Sequence, residues 1–255
     1  MSAMRLASPL FWGTALITAA VIYFHRVDEY NQICREGLNK ALALKGELSD
    51  KHLYKLWIRR HLPKYEQMLP KTLFRTKRLD ELGAYIGSRR SPQSFIIKNT
   101  HGSGMNIIVE DKDTMNYREV ISKAHSFLKT NFRNSGKGDT AHRRKMQLHY
   151  DYNEPSLIVE EFLGKNLKDL KYHIIDGRLV FHQVIHKGGE TMLYPNTADK
   201  QLEGIALDIY KEINRASKEP IRLVRVDFLE TQGREIYLGE VTFSPGACNK
   251  VRPPL

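Results

Sequence analysis

The sequence predicts an α+β fold on three observations. Apolar strands turn at glycine, amphipathic helices separate the strand pairs, and a final hairpin stands near the carboxyl end. Strands, then a helix, then antiparallel hairpins do not alternate as βαβ units, which excludes a doubly wound parallel sheet. The 255 residues suit one compact domain or two small ones. With 41% hydrophobic and 27% charged residues the chain can bury a core, so disordered, collagen-like and multi-span membrane classes are excluded.

Along the chain, Leu6 to Phe24 holds 19 residues without a charge, against roughly 20 needed to cross a bilayer as a helix. Trp12, Tyr23 and Phe24 near its ends suit an interface, so a single membrane anchor is expected, with a cleaved segment and a buried helix as alternatives. Arg5 alone precedes it, whereas Arg26, Arg35, Lys40 and Lys45 follow, which places the body on the cytosolic side. Residues 26 to 90 lean to helix and are basic, with clusters at Arg59, Arg60 and His61 and at Lys71, Arg75, Lys77 and Arg78 that read as solvated cationic faces. Ser94–Lys98 and Met105–Val109 read as strands around a glycine turn. Asp113–Phe132 reads as a helix with Val120, Ala124, Phe127 and Leu128 inward. Arg133–Gln147 has no apolar period and reads as a basic loop. Leu157–Phe162 is a short strand, and Lys171–Val184 is a hairpin about Asp176-Gly177. Gln201–Ala216 stripes Leu202, Ile205, Ala206, Ile209 and Ile213 on one face, and Ile221–Thr242 forms the last hairpin.

Forty Lys and Arg against 29 Asp and Glu leave a formal charge of +11, which calls for an anionic partner. Aromatic residues among the basic clusters are too sparse to stack single-stranded nucleic acid, and no nucleic-acid partner is expected. Cys34 and Cys248 are too few for a disulfide framework or a thiolate zinc site, and a reducing compartment is expected.

The last hairpin carries the sharpest chemistry. If Gly233-Arg234 is a two-residue turn, Asp227 faces Glu240 and Arg225 faces Thr242 on the same side, with Leu229 and Leu238; Val226, Val241, Phe228 and Tyr237 take the other side. Opposed carboxylates repel, so a cation belongs between them. Two acids and a hydroxyl form a hard oxygen site suited to Mg²⁺ shared with phosphate. The alternative is that Arg225 neutralises Asp227 on a solvated face. At 95–109, Gly102, Ser103 and Gly104 sit at the tip of a hairpin where backbone N–H groups can approach an anion, with Lys98 beside them, although such a turn can be only a turn. Glu160 and Glu161 end an apolar strand, and Lys171 opens the Asp-Gly hairpin. The histidines show no HExxH spacing.

In this order, the stretches 94–112, 149–164, 169–178 and 224–246 resemble the TupA-like branch of the ATP-grasp superfamily, named after teichuronopeptide biosynthesis. The last hairpin is also similar to that of the D-alanine–D-alanine ligases. The resemblance implies two small lobes with antiparallel sheets sandwiching ATP. Residues 93–255 would then be the ATP-grasp domain, while the apolar anchor, 1–27, and the basic helical region, 28–92, are read from the residues themselves. It implies that Lys98 contacts phosphate, that the loop His101, Gly102, Ser103 and Gly104 folds over the phosphates, and that Glu160 and Glu161 bind adenine and ribose. Lys171 would point to the nucleotide, Asp227, Glu240 and Thr242 would hold Mg²⁺, and Arg225 would stabilise the transferring phosphoryl group. Thr242 stands where many members of the superfamily carry asparagine. The implied activity is joining a carboxylate of uronate or glutamate type to an amine through an acyl-phosphate, in cell-surface polymer synthesis. A phosphotransferase on the same scaffold and a membrane-tethered glycan-binding module are the alternatives.

Overall fold

In the computed structural model, the described residues are 27–102, 104–130, 148–186, 189–193 and 195–248. The expected anchor Leu6–Phe24, the basic loop 133–147 and Ser103 lie outside them. Among the described residues no helix is long and apolar enough to cross a membrane.

Two antiparallel sheets organise the chain. The first has four strands in the order β1 (Thr72–Thr76), β4 (Leu157–Glu161), β2 (Phe95–Asn99) and β3 (Asn106–Val109). Strand alternation sorts its residues by face. Phe95, Ile97, Ile107, Val109, Leu157 and Val159 pack under α4 (Leu79–Gly87) and α5 (Tyr117–Lys129), whose Leu82, Ile86, Val120 and Ala124 complete the core. Ile96, Lys98, Ile108 and Glu160 are left on the opposite face, where they line a cleft. The Asn116 side chain accepts from Glu119 N–H at the start of α5, which fixes where that helix begins.

The second sheet runs β7 (Gly189–Leu193), β6 (Arg178–His186), β5 (Lys168–Ile175), β8 (Leu223–Glu230) and β9 (Ile236–Thr242). The predicted Asp-Gly turn joins β5 to β6. Both of its residues hold positive φ, Asp176 at 49° and Gly177 at 77°, the pair of values that a primed two-residue turn needs. One face of this sheet is covered by α6 (Lys200–Ala216), whose predicted apolar stripe is buried against Tyr172, Val226, Phe228 and Leu238. Burying each such side chain contributes roughly 1.5–3 kcal/mol. The same core takes Tyr54, Trp57 and Ile58 of α3 (Leu53–His61), which follows α2 (Leu42–Ser49). The α+β reading is therefore borne out, with helices on the outer faces and polar residues on the inner ones.

Three expectations change. The segment 26–90 is not helical throughout, because Thr72–Thr76 pairs with β4 and becomes an edge strand of the first sheet. Four members of its basic clusters pair with acids: Arg59 with Glu66, His61 with Glu212, Lys77 with Glu154 and Arg78 with Asp80. The two cysteines, 214 positions apart, form a disulfide that ties α1 (residues 27–36) to the end of the described chain. They sit in a separate apolar cluster with Tyr30, Ile33, Phe181 and Leu223. The sequence offers these two cysteines neither a disulfide framework nor a zinc site and favours a reducing compartment; the single bridge formed here is of a kind that persists where conditions are oxidising.

Candidate functional site

The last hairpin reaches the predicted pairing by a different route. Its turn holds three residues rather than two. Thr231 N–H bonds to Glu235 O, Arg234 N–H bonds to Thr231 O, and Arg234 takes φ 63°. That shifts Leu229 opposite Tyr237 and Phe228 opposite Leu238, and a bulge at Gly239 then brings Asp227 opposite Glu240 and Arg225 opposite Thr242. Leu238 consequently joins Phe228 in the core, not Leu229 on the cleft face, and Tyr237 takes the position across from Leu229. A Cβ on Gly239 would lie 3.2 Å from the carbonyl of Asp227, so the bulge favours glycine.

On the cleft face of this sheet Asp227 is buried and densely bonded. Arg225 donates from Nε to Oδ1 at 2.6 Å and from Nη2 to Oδ2 at 2.5 Å, and Lys171, directly opposite on β5, donates to Oδ2 at 3.1 Å. Burial pushes the Asp227 carboxyl up, but the Arg225 and Lys171 charges outweigh it and hold it below its ordinary value. Arg225 also reaches Thr242 Oγ1 at 3.0 Å and Glu240 Oε1 at 3.4 Å, so its guanidinium lies between the two acids where the sequence expected Mg²⁺, neutralising Asp227 as in the alternative reading but in a buried setting. Lys171 further pairs with Asp169 at 2.7 Å. Asp169 opens the stretch 169–178 but was passed over in the sequence; its spacing of two from Lys171, which puts both on one face of a strand, was the signal available. It lines the cleft, its Oδ1 is buried without a partner, and burial and the nearby Asp227 raise its pKa.

The facing wall belongs to the first sheet. Glu160 is 2% exposed, and its carboxylate is shared by Lys98, at 2.6 Å, and Lys55. Lys55 is held as well by Pro70 O and by Thr72 Oγ1 at 3.0 Å. Burial raises the Glu160 carboxyl, yet Lys98 and Lys55 bring it below its ordinary value. In this arrangement the Glu160 side chain is engaged with ammonium groups and orients Lys98. Glu161 accepts from Lys71 N–H at 2.6 Å, which fastens β4 to the segment entering β1. Lys55 and Lys51 carry no recognisable spacing in the sequence; only the packing of α3 brings them to the cleft.

In the glycine loop, His101 is buried, and its Nε2 lies 3.1 Å from Phe127 O and 3.0 Å from Thr130 O, at the end of α5. Burial lowers its pKa, so the ring is neutral and anchors the loop from behind. Gly104 holds φ 74°, which suits glycine, and it lines the cleft with Asn106. The carbonyl of Gly102 accepts from Lys51 Nζ.

The cleft between the walls consists of two adjoining cavities of about 230 and 180 Å³ that share Pro70, Lys98, Glu160 and Leu229. The larger is polar and takes Lys51, Lys55, Asp169, Asp227 and Glu240. The smaller is apolar on Ile96, Ile108, Phe162, Leu163 and Leu167, behind Glu161. Such a pair suits a ligand with a flat apolar end and an anionic tail. The three carboxylates Asp169, Asp227 and Glu240 gather about Lys171 and Arg225, with Lys51 close enough to feel the charge of Glu240, while Lys51, Lys55 and Lys98 outnumber Glu160 on the other wall. Among the described residues no group of three or more His, Cys, Asp or Glu side chains is arranged as a metal cage. Asp227, Glu240 and Thr242 bring their oxygen atoms together on the cleft face, and all three are bonded to Arg225.

Residues 80–205 match the family model of the TupA-like ATP-grasp proteins, and the resemblance read from the sequence is shown by that match. No curated protein matches the chain. Among solved structures, the D-alanyl-alanine synthetase A of Vibrio cholerae is 15% identical at a TM-score of 0.48, covering 81% of this chain and 59% of its own. A D-alanine–D-alanine ligase from Bacillus anthracis complexed with ATP is 18% identical at 0.43, covering 78% and 54%. An L-amino acid ligase from Bacillus licheniformis is 9% identical at 0.45, covering 78% and 44%. The chain thus spans about half of the length of these relatives.

Proposed function

From the TupA-like ATP-grasp match over residues 80–205, we propose that this protein is an ATP- and Mg²⁺-dependent ligase joining a carboxylate to an amine. The observation that carries the reading is the facing of two walls across one cleft, each gathering two basic side chains on one buried carboxylate, Lys98 and Lys55 on Glu160 and Arg225 and Lys171 on Asp227. The apolar cavity would take the adenine, and Lys98, held in place by Glu160, would bind phosphate. Asp227 and Glu240, with Thr242, would hold Mg²⁺, which when bound neutralises charge on the phosphoryl oxygens. Arg225 and Lys171 would stabilise the transferring group, since positioning and electrostatics supply most of the rate in such transfers. A substrate carboxylate oxygen bonds to the terminal phosphorus as the bond to ADP breaks. The amine nitrogen then attacks the acyl carbon, phosphate leaves with the C–O bond electrons, and the nitrogen sheds its proton. The glycine loop, anchored by His101, would exclude water while the acyl-phosphate exists.

The charge of +11 supports an acidic acceptor of uronate or glutamate type, in cell-surface polysaccharide or teichuronopeptide-like polymer synthesis. The Cys34–Cys248 bridge supports work in an oxidising compartment in place of the cytosolic site expected from the sequence. The test is product analysis with acidic saccharides or glutamyl peptides and a panel of amines. Phosphate release that requires both a carboxylate and an amine is expected. A phosphorylated product formed without amine would instead identify a phosphotransferase.

A further inference from the structure

The face of the second sheet that carries Asp227 and Lys171 continues past them under α1. Ladder pairing sets that face out in rows. Asp227, Lys171 and Gln183 share one row, Arg225, His173 and Phe181 the next, and Leu223 and Ile175 the one beyond. The cleft opens over Asp227, whereas Tyr30, Ile33 and Cys34 of α1 pack on Phe181, Leu223 and Ile175. Tyr30 reaches furthest toward the cleft, and its hydroxyl lies 2.7 Å from His173 Nδ1. The other ring nitrogen, Nε2, lies 2.7 Å from Gln183 Oε1, an oxygen that can only accept, while the Gln183 amide N–H donates to Glu190. Nε2 therefore carries the proton, and Nδ1 accepts from Tyr30. His173 stands directly opposite Arg225, and Gln183 directly opposite Lys171. One neutral network thus backs both of the cations that hold Asp227, and its outermost member belongs to α1. Burial raises the pKa of the Tyr30 hydroxyl, and Arg225 is the charge that most opposes that rise, in keeping with a ring seated near the guanidinium.

At residues 27–36, α1 is shorter than the roughly 12–15 residues at which a helix holds by itself, so its place depends on what fastens it. The fastening is the Cys34–Cys248 bridge, one turn beyond Tyr30 at one end and shortly after Thr242 of β9 at the other. We propose that Tyr30 is a positioning residue for Arg225, and that the Cys34–Cys248 bridge makes the positioning redox-dependent. This rests on the ligase reading above and adds regulation to it. A dithiol that gives two electrons and two protons to the bridge becomes a disulfide itself and leaves Cys34 and Cys248 as thiols. With α1 released, His173 loses its donor at Nδ1 and Arg225 loses the packing behind it. The apolar cavity assigned to adenine, on Ile96, Ile108, Leu163 and Leu229, is lined by nothing from α1. Reduction should therefore slow phosphoryl transfer while the nucleotide still binds.

The test is phosphate release from ATP by the full chain with the acidic saccharide and amine panel, before and after reduction with dithiothreitol. Reduction is expected to lower kcat about 10- to 100-fold, the scale for a displaced positioning group, with the KM for ATP changing less than about threefold. Reoxidation should restore kcat. Tyr30→Phe with the bridge intact should also lower kcat at nearly constant KM, and the double variant Cys34→Ser, Cys248→Ser should behave as the reduced protein throughout. Hydrogen exchange read alongside should quicken in residues 27–36 on reduction while β5 and β8 stay protected. A kcat unchanged by reduction although both thiols titrate, or a kcat that falls only as β5 and β8 lose protection, overturns the proposal and leaves the ligase reading intact. Oxidised protein that neither binds ATP nor releases phosphate overturns both.

Discussion

Asp227 and Glu240 face each other across the last two strands because two irregularities cancel: a three-residue turn offsets the ladder by one, and the bulge at Gly239 restores it. Without the bulge the alternation of β9 would turn Glu240 toward the core and Gly239 toward Asp227. Glu240 is 43% exposed, so Glu240→Gln should fold normally. It is expected to lower nucleotide affinity at least about tenfold in the presence of Mg²⁺, while affinity in chelator changes little. Paired titrations with and without Mg²⁺ measure the difference. Equal affinities for the variant and the parent in Mg²⁺ would remove Glu240 from the metal set.

Lys55 and Glu160 are 3% and 2% exposed and join the helical segment before β1 to the first sheet. Lys55→Met leaves Glu160 with Lys98 as its remaining charge partner. A loss of about 1.5–3 kcal/mol in urea unfolding is expected, the range for a hydrogen bond to a charged group, because Lys98 still compensates the carboxylate. Adding Glu160→Gln should recover part of the loss, because the buried charge left with one partner goes with it, while freeing Lys98 and weakening nucleotide binding.

Acid should weaken the fold. Burial pushes the imidazoles of His149 and His173 down to about 3, with Lys45 adding to the effect on His149 and Arg225 to that on His173. His173 is fixed neutral by Tyr30 Oη at Nδ1 and Gln183 Oε1 at Nε2, each at 2.7 Å. Unfolding restores an ordinary value of 6.5, so between these limits the unfolded chain binds the extra protons. The contribution of each ring is complete above about pH 6.5 and is lost as pH falls toward 3, on the order of 1 kcal/mol per pH unit. Urea midpoints measured from pH 7 to pH 4.5 should fall accordingly, and His149→Gln should make the decline shallower.

Reduction should loosen α1. The Cys34–Cys248 bridge closes a loop spanning 214 positions, and a loop of that length stabilises by about 3–5 kcal/mol in the chain-entropy account. Denatured protein should show no free thiol before reduction and two after it, with the thermal midpoint dropping on reduction. Two free thiols in the unreduced protein would dispose of the bridge and of the oxidising compartment inferred from it.

Much of the fold was legible because its signals are local. The stripe of Leu202, Ile205, Ala206, Ile209 and Ile213 reports a helix face, and Asp176-Gly177 supplies the two positive φ values of its turn. The acids of the last hairpin could be paired from spacing alone, though the turn and the bulge behind that pairing could not. Strand β1 escaped notice because it gains its ladder only from β4, more than eighty positions later. Lys51 and Lys55 escaped for a similar reason, since no spacing marks a residue whose partner lies on another element, whereas Asp169 pairs with Lys171 two positions along its own strand.

By itself, then, the sequence determined the fold class, the order of the elements other than β1, the family resemblance and the acids and bases of the last hairpin. Those depend on periodicity, turn chemistry and short-range register, all of which act within a few residues. The tertiary structure alone decided that Glu160 orients two lysines, that Arg225 occupies the gap between Asp227 and Glu240, that Cys34 meets Cys248, and that Lys51 reaches the glycine loop. Each of these is a contact between distant segments, fixed only when burial of the apolar faces sets where the two sheets and α3 lie against one another.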